Sequence, residues 1–462
     1  MHKEEVIIIG GGLAGCEAAW QLISANIPVV MFEMRPNKQT NAHKTSTLSE
    51  LVCSNSFRSD DYKNNAIGLL HEEMRKCNSL ILKSADFNKV PAGGALAVDR
   101  HNFSNTVQDS LAVSPLFKLI TKEYQELPPP SDKRKHIIAT GPLTSDLLSK
   151  SIINYTGENS LAFFDSIAPI IYRDSIDFSF AWYQSRYDKS GPGGDKAAYI
   201  NIPLDKEDYI KFVQGLIHAE NKELKDWESD TPYFEGCLPI EVMASRGIDT
   251  LRYGPMKPVG LINPKTGKVP YAVIQLRQDN TAATLYNMVG FQTKIKHKSQ
   301  VDILRQLPGL KNARFARLGG IHRNTFLNSP DILDKQLRLK NRTNIYFAGQ
   351  IVGVEGYVES AAIGLIVGQL IISELYDHKP LLPPTSTALG ALVEYIINGT
   401  VDGRGKNFQP MNINFGLIDS LKDKLPKKIR REAISKRALC EIDNWLEQLP
   451  KKPRELLIGR ET

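Results

Sequence analysis

The segment VIIIGGGLAG, residues 6–15, runs into an apolar helical pattern and then into VVMFE, residues 29–33. Short apolar run, glycine turn, helix, second apolar run and terminal acid read as strand, turn, helix and strand. This is the opening βαβ unit of a dinucleotide-binding domain. Gly10 permits the tight turn, Gly12 lets the backbone approach a diphosphate, and Gly15 lets helix and sheet pack closely. Together with Gly11, Leu13 and Ala14 they make a helix N-terminus whose unpaired N–H groups and positive dipole end suit an anion. Glu33 closes the second strand, where a carboxylate accepts from ribose hydroxyls.

Two later stretches repeat parts of this grammar. HIIATG, residues 136–141, is a strand ending at Gly141, and resembles the return strand of two-dinucleotide flavoprotein folds. NIYFAGQ, residues 344–350, is another strand, leading through Gly349, Gln350, Gly353 and Gly356 into an apolar helix. Strand, glycine and helix at both ends of the chain favour a split domain closing on FAD rather than on NAD alone. The expected architecture is α/β: a split Rossmann-like FAD-binding domain with an inserted mixed α/β substrate domain. The expected boundaries are 1–150 for the first part, 151–335 for the insertion, 336–380 for the second part and 381–462 for a C-terminal helical segment.

Composition narrows the class. The 462 residues are 42% hydrophobic and carry 58 Lys and Arg against 51 Asp and Glu, a formal +7 that permits a polyanionic partner without requiring one. Five cysteines, Cys16, Cys53, Cys77, Cys237 and Cys440, form no C-x-x-C pair, which argues against a disulfide framework or zinc ribbon. The nine histidines show no close pairing, so no metal is expected. A cytoplasmic location is expected from the thiols and from an N-terminus that enters the first strand without a signal sequence. The longest apolar segment, Ala361 to Ile372, is shorter than a membrane span and holds Gln369, so no membrane is expected.

Between these landmarks the chain is more ambiguous. Arg35 to Thr47 is polar and fits a loop along the cofactor's edge. LVCSNSFR, residues 51–58, sets Cys53 among hydroxyls, an amide and a guanidinium, which suits either a reactive thiol or a buried structural one. Residues 66–84 have the spacing of one helix, with Leu69, Leu70, Met74, Cys77 and Leu80 on its core face. PAGGALAVDR, residues 91–100, is either an ordinary turn or a close backbone approach to a ligand. Lys422 to Arg437 holds eight basic and two acidic residues, followed by Leu439, Ile442, Trp445, Leu446 and Leu449 at helical spacing. The apolar stripe packs onto the body; the basic part is a solvated face or an RNA contact.

Five longer motifs carry more information: YFEGCLPIEVMASRG (233–247), LRQDN (276–280), YNMVGFQT (286–293), FARLGGIHRNTFLNSP (315–330) and NFQPMNINFG (407–416). At these residues the sequence closely resembles the folate- and FAD-dependent tRNA uracil-5-methyltransferases, shorter relatives of the wobble-uridine tRNA-modifying flavoproteins. Thr121 to Arg134 and the tail beyond about Leu439 fall outside the match. The resemblance implies methylation of carbon 5 of a T-loop uridine in tRNA, with methylenetetrahydrofolate as carbon donor and FAD reduced by NAD(P)H. It implies Cys53 and Cys237 as the catalytic pair, with Cys53 preferred as nucleophile. Chemistry agrees, since carbon 5 of uracil is a poor nucleophile until a thiolate adds to carbon 6. Arg277, Asn287, Gln292, His322, Arg323 and Asn324 are candidates to hold folate or RNA, although each also suits an ion pair or a cap. The competing readings are the same chemistry on a large-subunit rRNA uridine, a small-molecule flavin oxidoreductase, and a noncatalytic RNA-binding flavoprotein.

Overall fold

The computed structural model describes residues 4–40, 42–157, 161–191, 196–221, 238–399, 408–423 and 425–450, without the side chains of 161–166, 321–325 and 427–428. The apolar run Val6–Ile9 is wholly buried because it is the central strand of a six-stranded sheet. Strands Val29–Glu33 and Phe117–Thr121 lie on one side of it. His136–Ile138, Arg342–Phe347 and the short antiparallel Arg338–Leu339 lie on the other. All pairings but the last are parallel, so both faces must be covered. Helices Leu13–Ser24 and Tyr357–Leu375 pack side by side, linked by a buried Gln369–Gln21 hydrogen bond of 2.7 Å.

A second six-stranded sheet is antiparallel throughout, in the order Trp182–Tyr183, Tyr199–Leu204, Ala272–Gln278, Leu285–Met288, Ile170–Tyr172 and Phe315–Arg317. It has its own core, in which Ile200, Ile274 and Leu276 meet Tyr209 and Phe212 of helix Lys206–Ile217. The chain enters this body and leaves it through one antiparallel ribbon, Leu161–Ile167 with Gly320–Phe326. The expected split of a parallel domain around an insertion is thus observed, and the insertion's sheet is antiparallel.

Two expectations change. Residues 66–84 form two helices, Ala66–Lys76 and Leu80–Phe87, because Asn78 takes a left-handed φ of 56° and Ser79 caps the second helix by accepting from Leu82 N–H. The apolar segment around Ala361 belongs to a 19-residue helix, long and apolar enough to span a membrane, but 89% of its most apolar window is buried inside the protein. That character is core. The C-terminal helix Lys427–Gln448 joins the same core through Ile434, Ala438, Ile442 and Trp445, as its apolar spacing suggested.

Candidate active site

The glycine turn opens on a cleft with about 1000 Å³ of empty space. Its three key glycines differ as their positions predict. Gly10 has φ 105°, and a Cβ there would lie 2.5 Å from the Ala139 carbonyl oxygen. A Cβ on Gly15 would stand 2.0 Å from the Gly10 oxygen, whereas one on Gly12 would meet nothing within 4 Å. Gly12 therefore leaves its backbone open to a ligand. Gly11, Gly12, Leu13 and Ala14 line the cleft, as do Glu33, Gly141, Gly349 and Gln350. Gly15 does not line it, being occupied with packing.

Glu33 has company that its sequence position did not announce. One carboxylate oxygen accepts from Gly11 N–H at 2.9 Å; the other accepts from Arg35 N–H at 3.0 Å and Nε–H at 2.9 Å. Burial works to raise its pKa, yet the Arg35 hydrogen bonds and charge outweigh that and hold the carboxyl below its usual value. The unassigned stretch after Thr121 also reaches the cleft: Lys122, Glu123 and Tyr124 line it. Glu123 pairs with Lys38 at 2.6 Å, and the Tyr124 ring meets Phe32 edge-on. Cys16 donates to the Gly11 carbonyl at 3.4 Å, and burial pushes its thiol up to about 12. It is inert packing beside the turn.

At the far end of the cleft, Val52 and Tyr357 form the wall, and behind them sits the loop that carries Cys53. The Tyr357 hydroxyl oxygen accepts from the N–H groups of Cys53 at 2.8 Å and Ser54 at 3.0 Å. Burial, and after it the charge of Cys53, push the Tyr357 pKa up, so the phenol stays protonated. Arginines grip the same loop from the other side. Arg317 donates to the carbonyls of Val52 at 2.7 Å and Cys53 at 3.0 Å. Arg100 donates to the Leu51 carbonyl and pairs with Asp279 at 3.0 Å. Arg277 donates to Ser54 Oγ at 2.7 Å and Asn55 Oδ1 at 3.1 Å. Burial and the neighbouring Arg100 charge pull the Arg317 pKa down, and burial does the same to Arg277; Cys53 acts electrostatically on both in the opposite sense. The half-buried thiol thus lies within electrostatic reach of the buried Arg277 and half-buried Arg317 guanidinium groups.

The remaining candidates are distributed unevenly. Arg277 is the one brought to the Cys53 loop, where two of its donors hold the loop itself. Asn287 sits opposite Arg277 in the strand register, 3% exposed, and its Nδ2 is a buried donor with no hydrogen-bond partner among the described residues. Gln292 gives its backbone carbonyl to Ile240 N–H at 2.7 Å, joining the strand turn to the helix Ile240–Ser245 inside the second cysteine motif. His322, Arg323 and Asn324 have their backbones in the ribbon, opposite Asp165, Phe164 and Phe163; their side chains lie outside the described residues. Cys237 lies outside them as well. Of the basic C-terminal stretch, Arg437 turns inward to the carbonyls of Asp419 and Ser420, and Arg431 reaches Asn64 O at 3.3 Å. Arg430 and Lys436 remain exposed.

Sequence reasoning missed Tyr357, Arg100 and Arg317. Arg317 stood inside a quoted motif, and Tyr357 follows the helix-opening Gly356, but nothing local ties either to Cys53.

Strand order, glycine turn, terminal acid and two helix N-termini on one cleft define an α/β dinucleotide-binding protein. Residues 5–378 match the family described as glucose inhibited division protein A. The methylenetetrahydrofolate–tRNA-(uracil-5-)-methyltransferase TrmFO of Rhodopseudomonas palustris (strain BisB18) is 58% identical, covering 96% of this chain and 97% of its own length. The protein of the same name from Mesorhizobium japonicum is 56% identical over 96% of this chain and 97% of its own. The chain belongs to this methyltransferase family, in agreement with the motifs. The solved structure of Aquifex aeolicus GidA aligns with a TM-score of 0.69 at 14% identity, covering 97% of this chain and 75% of that one, and so shares the fold.

Proposed function

We propose that the protein methylates carbon 5 of a T-loop uridine in tRNA, with methylenetetrahydrofolate as carbon donor and FAD, reduced by NAD(P)H, as the source of electrons. The observation that carries this reading is the anchoring of Cys53 by Tyr357, a residue that itself walls the dinucleotide cleft. A thiol able to add to carbon 6 of a pyrimidine is thereby fixed beside a site suited to a redox cofactor.

The cleft fits FAD. The open space above Gly12 and the uncapped N-termini at Leu13 and Tyr357 suit a diphosphate and the polar edge of a flavin. Glu33 would take a ribose hydroxyl on its remaining lone pairs, and Gly141, Gly349 and Gln350 would line the path between. Reduced FAD supplies the two electrons that bring a carbon at the formaldehyde level to a methyl group.

The chain's own residues handle the base. The Cys53 thiolate adds to carbon 6, forming an S–C bond and making carbon 5 nucleophilic. Once the new carbon is attached, a second group takes the proton from carbon 5 as tetrahydrofolate leaves, and when the carbon has reached the methyl level loss of the Cys53 sulfur restores the double bond. Cys237 is proposed for that proton transfer on the strength of the motif. The Arg317 and Arg277 guanidinium groups hold the loop and provide positive charge as the thiolate forms. The target base must leave its stack to reach Cys53. Asn287, Gln292, His322, Arg323 and Asn324 are proposed for folate or RNA contact, and a cytoplasmic location belongs to the same proposal.

The test is purified protein with labelled methylenetetrahydrofolate, NAD(P)H, and either T-loop or rRNA fragments. Label in the T-loop fragment is expected; label only in rRNA, or reoxidation of flavin by small substrates indifferent to RNA, rejects the assignment.

A further inference from the structure

The motif NFQPMNINFG has no role in the chemistry above, yet its described part lies across the turn at the N-terminus of helix Tyr357–Leu375. Met411 N–H donates to Gly353 O at 3.2 Å and Glu355 N–H donates to Met411 O at 3.0 Å, a one-rung bridge between the two segments. Asn412 Nδ2 donates to the Glu355 carbonyl, and Ile413 N–H donates to Glu359 Oε1 at 3.0 Å. The buried Phe408 ring fills the space left by the missing side chain of Gly353, where a Cβ would lie 2.3 Å from it. Phe408 is itself backed by Tyr395, stacked at 5.4 Å.

The turn held in this way faces the cleft. It runs from Gly349, at φ 86°, through Gly353, at φ 89°, to Gly356, at φ 113°; such a backbone has little intrinsic preference for one shape. Gln350 lines the cleft and donates to Glu355 Oε2 at 2.6 Å, so the Glu355 peptide gripped by Asn412 also carries the partner of a cleft side chain. Beyond it, Glu359 pairs with Arg58 of the strand that follows the Cys53 loop.

We infer that residues 408–413 are a strap that sets the shape of the 349–356 turn for the flavin, with Asn412 as its positioning residue and Phe408 as its wedge. None of residues 408–413 lines the cleft; the strap acts through Gly353, Glu355 and Glu359. This rests on the FAD reading, and FAD is the probe.

FAD is titrated into flavin-depleted full-length wild type, N412A, N412D and F408L, with flavin fluorescence and the bound-flavin absorption spectrum as readouts. Thermal unfolding of the flavin-free proteins is recorded in parallel. The FAD Kd is expected to rise roughly tenfold in N412A, the scale of one lost hydrogen bond. N412D, which keeps the shape, cannot donate and sets a carboxylate against the Glu355 carbonyl, should weaken FAD at least as much as N412A, and both should shift the absorption spectrum while the flavin-free N412A midpoint stays close to wild type. F408L should weaken FAD by a smaller factor, and carries the test alone if the Asn412 variants do not fold. Wild-type Kd and spectrum in the folded variants, with only the midpoints lowered, would overturn the inference. Failure of the wild type to bind FAD would overturn the FAD reading instead.

Discussion

Two helix N-termini face the same cleft, and they are held in opposite ways. The first, at Gly12 and Leu13, takes its hydrogen bonds and closest turn packing from near neighbours in sequence, Gly10, Gly15 and Glu33, whose carboxylate takes Gly11 N–H, with Ala139 packed against Gly10 from further away. The second, at Gly356 and Tyr357, is organised by residues far away. Tyr357 meets Cys53 304 positions distant, Glu359 meets Arg58 301 positions distant, and the strap reaches back from Met411. A local unit holds its shape wherever its strands pair, whereas the non-local one exists only after the rest of the chain has packed. Cys53, the proposed nucleophile, is attached to the second kind, so the proposed chemistry depends on the part of the cleft with the least local support.

Substitutions on each side should separate these dependencies. Gly15→Val forces a branched side chain against the Gly10 carbonyl, and should cost about 3 kcal/mol, the upper end of ordinary overpacking. Loss of flavin from the purified protein and a lowered thermal midpoint would report it, and normal flavin content would show that the local turn tolerates more than its geometry indicates. Tyr357→Phe keeps the ring and removes the acceptor shared by Cys53 and Ser54. Methyl transfer should fall roughly 100-fold, the scale of a misplaced reacting group, while FAD still binds. Arg317→Gln should slow methyl transfer about tenfold, since charged hydrogen bonds to two loop carbonyls are lost while Tyr357 and Arg277 still hold the loop. Equal flavin loss in the last two variants would erase the distinction between cofactor holding and nucleophile holding.

The smallest effect is one of pH. Glu73 is fully buried and caps helix Ala388–Asn398 through Ala388 and Leu389 N–H, both at 2.8 Å, which ties the C-terminal region to the body. Burial raises its carboxyl to about 8, against the two backbone hydrogen bonds that work to lower it. The folded protein therefore keeps this proton up to about pH 8, while the unfolded chain gives it up near the ordinary value of 4.5. Its contribution is greatest below the unfolded value and drains away as pH rises through that window. Urea unfolding at pH 5 and pH 8.5 should show wild type losing more stability than Glu73→Gln.

The same contrast explains what could be read in the sequence. The glycine turn and Glu33 were legible because three glycine spacings and one acid encode a contact set within a single βαβ unit. The split parallel fold was legible from strand grammar at 136–141 and 344–350. Asn78 and Ser79 were also there to be read: an Asn suited to a left-handed residue beside a Ser suited to a cap marks the break between two helices that hydrophobic spacing alone had merged. The stretch 51–58 alone suits Cys53 as a reactive or a structural thiol, and nothing in it specifies the thiol's surroundings. Arg277 and Arg317 converge on Cys53 from the antiparallel sheet and Arg100 and Tyr357 from the starts of two helices, and no local pattern encodes such convergence.

The ribbon Leu161–Ile167 with Gly320–Phe326 has a consequence for the order in which the molecule can be made. During synthesis, His136–Ile138 emerges early, but its neighbour Arg342–Phe347 follows only after the whole antiparallel body. Until then the parallel sheet has an open edge, while the second body already has its complete core. The insertion is therefore expected to fold first, within a parent still waiting for its last long strand. No nascent chain can complete the wall of the cleft until Tyr357 has left the ribosome.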